Sequence, residues 1–251
     1  MILREKRLIE KIISLNIDLI GYKDALAVII DLALRRQASY ICFANVHMTI
    51  EAYEDNEFTH QVNNASLVLA DGVPIVKSLK FIHGKSQERI AGMDVFPDLL
   101  KLLEKECLKV FFFGSTAETL ERIRARAVRE FPQLKIAGLY SPPFNRSLDD
   151  EAYITLIKES GANLVFVALG CPKQEKWMAC HSRKIDAPLL GVGGAFPVYA
   201  GIASRAPFFM QNMGLEWLYR LIQEPRRLFK RYFKTNTLFI YLILKVKAQI
   251  F

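Results

Sequence analysis

Short apolar runs alternate along this chain with segments whose apolar residues recur at helical spacing. The runs at 17–20, 40–44, 67–69, 109–113, 135–139, 163–169 and 188–192 are rich in β-branched and aromatic residues and have Gly or Pro near their ends. That combination predicts strands rather than buried helix. The segments at 23–36, 48–64, 93–106, 116–131, 149–160 and 173–183 are amphipathic and predict helices. Strand and helix in regular alternation predict an α/β domain with a mostly parallel sheet and helices on both faces. At one junction the run Phe111-Phe112-Phe113-Gly114 ends a strand, and Ser115 with Glu118 three residues on has the form of a capping box. No internal repeat or low-complexity segment interrupts the pattern.

The character changes near Arg205-Ala206-Pro207, so residues 1–205 are expected to form the core and 206–251 a helical C-terminal appendage. Of the net charge of +8 over 251 residues, most lies in this appendage. From Arg220 to Lys247 eight Lys or Arg face the single Glu224, a net +7. Such a local excess seeks an anionic partner: phosphate, nucleic acid or an acidic lipid surface. Leu228, Phe229, Tyr232 and Phe233 interleave with the cations, which suits an anionic bilayer surface. The same pattern also suits simple cover for the domain, or nucleic acid. No apolar run approaches the roughly 18–20 residues that span a bilayer, and the start of the chain lacks the uninterrupted stretch of a secretory signal. Four cysteines without a CxxC pattern, with Cys42 and Cys107 expected in the core, predict reduced thiols and a cytoplasmic location.

Ligands of open α/β sheets bind at the carboxyl ends of strands, and four polar clusters fall there. Asn45 follows the run at 40–44; it either caps the next helix or hydrogen-bonds a substrate. Asp71 follows 67–69; with Gly72 it forms a turn, or it serves as a general base for a sugar hydroxyl. Arg89 suits two-pronged contact to a phosphate or carboxylate, or an ion pair with Glu88 or Asp94. In Gly170-Cys171-Pro172-Lys173-Gln174-Glu175 a tight turn opens a helix whose backbone N–H groups suit an anion, supplemented by Lys173 and Gln174. Pro172 fits the first helical position. Gly191-Val192-Gly193-Gly194 repeats the theme. Neither loop is a GxGxxG or Walker A sequence. DxD, HExxH and Cys/His clusters are absent, so no metal is expected, and Arg and Lys would have to offset the charge of a leaving diphosphate.

These clusters, in this order and joined by Gly214-Leu215-Glu216-Trp217-Leu218-Tyr219-Arg220, resemble the WecG/TagA/CpsF family of glycosyltransferases over nearly the whole chain, from about Ile17 to about Arg231. The resemblance implies a Rossmann-like core and metal-independent, inverting transfer from a UDP-sugar to a sugar on undecaprenyl diphosphate at the inner face of the plasma membrane. The products would be teichoic acid, common antigen, capsule or exopolysaccharide. The resemblance further implies Asp71 as catalytic base and Asn45, Arg89 and Gln174 as pocket residues. Arg220 and Arg227, followed by Lys230 or its neighbour Arg231, would reach the lipid diphosphate or the leaving UDP. Phe43 departs from the Thr common two residues before the pocket Asn, which removes a hydroxyl contact to sugar. Lys230 departs from Arg and lacks its fork geometry.

Two rivals remain on sequence grounds. A nicotinamide-dependent oxidoreductase would need a GxGxxG after a strand. A basic membrane- or nucleic-acid-binding module would not need Asn45, Asp71 and Arg89 at strand ends. No nucleic-acid partner is expected, and the apolar face of the appendage allows a homo-oligomer.

Overall fold

A computed structural model describes residues 8–143 and 151–249. The chain opens with an antiparallel hairpin, β1 (Ile9–Ile12) and β2 (Leu15–Asp18). It continues through α1 (Tyr22–Leu34), β3 (Ser39–Ala44), α2 (Val46–Glu54), α3 (Asn56–Asn63), β4 (Leu67–Ala70), α4 (Val73–His83) and α5 (Gly92–Lys105). Next come β5 (Lys109–Gly114), α6 (Ala117–Glu130), β6 (Lys135–Tyr140), α7 (Glu151–Glu159), β7 (Leu164–Ala168), α8 (Lys173–His181), β8 (Pro188–Gly191) and α9 (Ala195–Tyr199). The chain ends in α10 (Phe208–Met213), α11 (Glu216–Gln223) and α12 (Pro225–Ala248).

Six strands form one parallel sheet in the order β4-β3-β8-β7-β5-β6. The inner strands are covered on both faces and apolar apart from their first residues, Ser39 of β3 and Lys109 of β5, and alternate residues serve opposite cores. Tyr40, Cys42, Phe111, Phe113, Val165 and Val167 face one core, filled from α2, α3, α4, α7, α8 and α12. Ile41, Phe43, Val110, Phe112, Leu164 and Phe166 face the other, filled from α1, α5, α6 and α9. There Phe96 of α5 meets Phe166 edge-on at 4.6 Å. The α/β architecture expected from the pattern is the one observed.

Several local elements differ from the pattern's expectation. The strand expected at 17–20 is β2, and it belongs to the hairpin rather than to the sheet. The hairpin guards the sheet edge: the Asp18 carboxylate accepts from the Val68 N–H of β4 at 2.8 Å, which occupies a donor that an exposed edge would leave open. The helix expected over 48–64 breaks at Asp55, whose φ is −129° and whose side chain accepts from the Phe58 N–H to start α3. A short acid that caps a new turn outcompetes continuation of the old one. Helix α4 was not expected; Ile75, Leu79 and Ile82 bury its inner face. The cap of α6 is Thr116, which accepts from the Thr119 N–H at 3.2 Å. Ser115 instead turns the chain at a φ of 58°, and Glu118 pairs with Arg122. Pro172 stands at the cap of α8 rather than inside its first turn. Cys107 is exposed in the turn between α5 and β5, where the reversal at φ 54° points it away from the core. The helix expected over 149–160 is seen from Glu151; residues 149 and 150, like the charged start at 1–7, lie outside the described residues.

The C-terminal segment packs back on the core. Leu228, Thr235, Phe239, Leu242 and Ile243 form the buried stripe of α12, and the helix lies against α2 and α4. Lys234 pairs with Glu54 of α2 at 2.7 Å, and the Lys247 ammonium sits 5.5 Å from the Phe81 ring of α4. Among the described residues no helix is long and apolar enough to cross a membrane.

Candidate active site

The carboxyl ends of β3 and β4 are joined by backbone bonds. The Asp71 N–H donates to Ala44 O at 3.0 Å, and the Ile90 N–H donates to Ala70 O at 2.8 Å. Asp71-Gly72 is therefore a strand end running into the start of α4, with Gly72 as cap, rather than a free turn. Asn45 serves both roles open to it. Its Oδ1 accepts from the Met48 N–H at 3.1 Å and caps α2, while its amide bonds to the Asp71 carboxylate.

Asp71 is only partly exposed, and its carboxyl is pushed up to about 6. Burial is the largest cause, and the negative charge of Glu216 adds to it. Arg220, Arg89 and the Asn45 bond pull the other way. A carboxylate with this affinity can accept a proton near neutrality, as a general base must.

Arg89 reaches Glu216 of α11 at 2.7 Å and Asp94 of α5 at 3.1 Å. Arg205, in the segment after α9, reaches Asp94 at 2.6 Å and Glu216 at 3.7 Å. One turn along α11 from Glu216, the Arg220 guanidinium covers the turn that follows β8. A Cβ built on Gly194 would stand 3.3 Å from Arg220 Nη2, and the same nitrogen lies 3.6 Å from Met93 Sδ. The α10–α11 turn rests on the start of α4: Gly214 has φ 76°, and a Cβ there would stand 2.9 Å from Val73 Cβ.

Gln174 lies on the other side of the same β8 turn and is buried. Its Oε1 accepts from the Gly170 N–H at 3.2 Å, and its Nε2 donates to Gly191 O at 3.0 Å and to Glu175 Oε1 at 2.7 Å. The side chain thus clamps the ends of β7 and β8 together. Glu175 beneath it is fully buried. Its carboxyl is pushed up to about 7, chiefly by burial, against bonds from Gln174, the backbone and the Cys171 thiol. Burial likewise raises Cys42 and Cys171, so both remain thiols.

The structure therefore gathers Asn45, Asp71, Arg89 and Arg220 at one edge of the sheet and sets Gln174 in the wall behind it. Lys230 is exposed on α12. The side chains of Arg227 and Arg231 lie outside the described residues. Phe43 is buried, with its ring against Gly92 on the face of the sheet opposite the hairpin, so its side chain packs the core. Asp94, Arg205 and Glu216 had no functional role in the sequence reading. The available signal was the spacing of Glu216 and Arg220, four residues apart and hence on one helix face.

The chain matches the model of the Glycosyl transferase WecG/TagA/CpsF family over residues 10–250. It is similar to an N-acetylglucosaminyldiphosphoundecaprenol N-acetyl-beta-D-mannosaminyltransferase of Bacillus spizizenii, 35% identical over 198 residues that cover 77% of this chain and 74% of that protein. A protein of the same name from Staphylococcus aureus is 29% identical over 212 residues, covering 84% of this chain and 82% of that protein.

Proposed function

Because the chain belongs to the WecG/TagA/CpsF family and is thus a glycosyltransferase, we propose that it moves a sugar from a UDP-sugar to a sugar carried on undecaprenyl diphosphate, with inversion and without a metal. The names of its relatives make N-acetylmannosamine the first donor sugar to test and N-acetylglucosamine the first acceptor sugar. The observation that carries the reading is Asp71, a strand-end carboxylate pushed up to about 6 among Asn45, Arg89 and Arg220.

Asp71 takes the proton of the acceptor hydroxyl as its oxygen bonds to the anomeric carbon and the bond to UDP breaks. Asn45 orients the carboxylate. Arg220 supplies positive charge where the diphosphate departs, a stabilisation worth most in a site closed to water. Arg89, held between two carboxylates, is a fixed wall of the pocket with donors left for the sugar. Gln174 shapes the floor by joining two strand ends. Lys230, Arg227 and Arg231 extend the basic path towards the lipid diphosphate.

The same reading places the enzyme peripherally on an anionic inner leaflet. Phe208, Phe209, Ile222, Phe229 and Phe233 are exposed, and Arg226 and Lys230 are exposed on the same C-terminal segment. Apolar side chains beside cations suit such a surface, with on the order of 1 kcal/mol from each nearby cation.

The test is UDP release from a panel of UDP-sugars in EDTA, with a short-chain prenyl diphosphate carrying N-acetylglucosamine. Release that requires acceptor is expected with one donor. Silence across the panel from folded protein would overturn the proposal. Binding to anionic liposomes rather than to duplex DNA across a salt series checks the membrane reading.

A further inference from the structure

Glu216 and Arg205 touch neither the Asp71 carboxylate nor the β8 turn through any bond described above, yet both belong to one closed figure. Arg89 and Arg205 each contact both Asp94 and Glu216. The result is a ring of four alternating charges, drawn from the segment before α5, the first turn of α5, the segment after α9 and the first turn of α11. The contacts join residues as far apart in sequence as Arg89 and Glu216.

We propose that Glu216 and Arg205 are positioning residues for transfer: with Arg89 and Asp94 they close a ring that seats α11 on the core and so holds Arg220 over the Gly193–Gly194 turn beside Asp71. The proposal rests on the reading of Asp71 as base.

Geometry supports it first. Glu216 and Arg220 lie one turn apart on an eight-residue helix, so fixing one sets the other. None of the residues of α11 is buried, so packing alone seats this helix poorly. The four side chains are 20–33% exposed, and ion pairs so placed add little to global stability. Their effect is on where α11 sits.

Electrostatics supports it second. The charged and polar groups facing Asp71 are Asn45 from α2, Arg89 from the segment before α5, and Glu216 and Arg220 from α11. Arg205 is coupled to Asp71 as well. Loss of the negative charge of Glu216 favours the Asp71 carboxylate, and loss of the positive charge of Arg205 favours its protonated form.

The experiment compares wild type, Glu216→Gln, Arg205→Gln and Asp71→Asn by amide hydrogen exchange across α11 and by the pH dependence of kcat. Each ring variant should speed exchange in α11 by about tenfold or more, as expected when a local opening is eased. Arg205→Gln, which removes a positive charge and frees Arg220, should move the acid limb of the profile up by roughly 0.5–1 pH unit, while in Glu216→Gln the lost negative charge lowers the limb and the freed Arg220 raises it. A merely structural pair would shift melting in the same direction for both and leave the limb in place. Unchanged exchange in both variants overturns the proposal. So does an acid limb unmoved or lowered in Arg205→Gln when Asp71→Asn is inactive. If Asp71→Asn keeps its turnover, the base assignment falls instead, and exchange in α11 alone decides the ring.

Discussion

The Arg220 guanidinium rests on Gly194, with Nη2 3.3 Å from where a Cβ would stand. Gly194 has φ −65°, a backbone that any residue can adopt, so what glycine provides here is room. Gly194→Ala should therefore keep its melting temperature while displacing the guanidinium by tenths of an ångström, and kcat should fall about tenfold. Arg220→Ala should lose roughly 10²-fold in kcat/KM. Arg220→Lys should recover only part, because the ammonium lacks the fork. Steady-state kinetics with donor varied at fixed lipid acceptor checks all three.

Asp71→Asn should fold as wild type and lose roughly 10²–10⁴ in turnover, the usual share of a general base. In the wild type the base works as carboxylate. Turnover should therefore rise with pH through a limb near 6, the value to which burial and Glu216 push Asp71. A flat profile from pH 5 to 8 would separate Asp71 from the base role.

Glu175 links pH to stability. Its carboxyl rises from an ordinary 4.5 to about 7 on folding, so between those values the folded chain holds a proton that the unfolded chain has released. The stability from the neutral buried acid is complete below about 4.5, declines as pH climbs, and is gone above about 7. Glu175→Gln keeps the size and removes the charge. Chemical denaturation should find it more stable than wild type at pH 8 by on the order of 1–3 kcal/mol. At pH 5 the difference should shrink.

Gly214→Ala should loosen the appendage. The position has φ 76°, and the new Cβ would meet Val73 Cβ and Cγ1 at 2.9 Å, atoms with no flexible end to swing aside. A local cost of about 1–3 kcal/mol is expected. It should appear as protease sensitivity near α10–α11 and loss of transfer to lipid acceptor, with the melting of the core nearly unchanged.

Helix α12 contributes to the core as well as to the site. Phe239→Ala removes a ring that is 5% exposed and should cost about 3 kcal/mol by urea denaturation. A chain ended at Arg205 would bare the surfaces of α2 and α4 that this helix covers, and it would also lose Glu216 from the ring. It should melt below the full chain and show little transfer.

The strands of the sheet are legible in the amino-acid pattern alone. Its inner strands are buried on both faces, so each reads as an unbroken apolar run whatever its neighbours are. The rule that ligands gather at strand ends marked Asn45 and Asp71, whereas Arg89, expected at a strand end too, lies in the segment between α4 and α5; the long match ending in Arg220 carried the family resemblance. Elements held by neighbours rather than by pattern escaped. Of the hairpin only the run at 17–20 showed; in β1 Ile9 and Ile12 flank two adjacent charges, and the hairpin is a sheet edge-guard only because Asp18 meets Val68. Asp55 splits α2 from α3 through one capping bond. Gln174 looked like a ligand contact, and tertiary structure sets it as a clamp between Gly170 and Gly191. Of the ring, the Arg89–Asp94 pair was open to reading from their spacing, while its links to Arg205 and Glu216 were not: a charge shows its sign in the sequence, but which opposite charge it meets across more than a hundred residues depends on how the chain folds back.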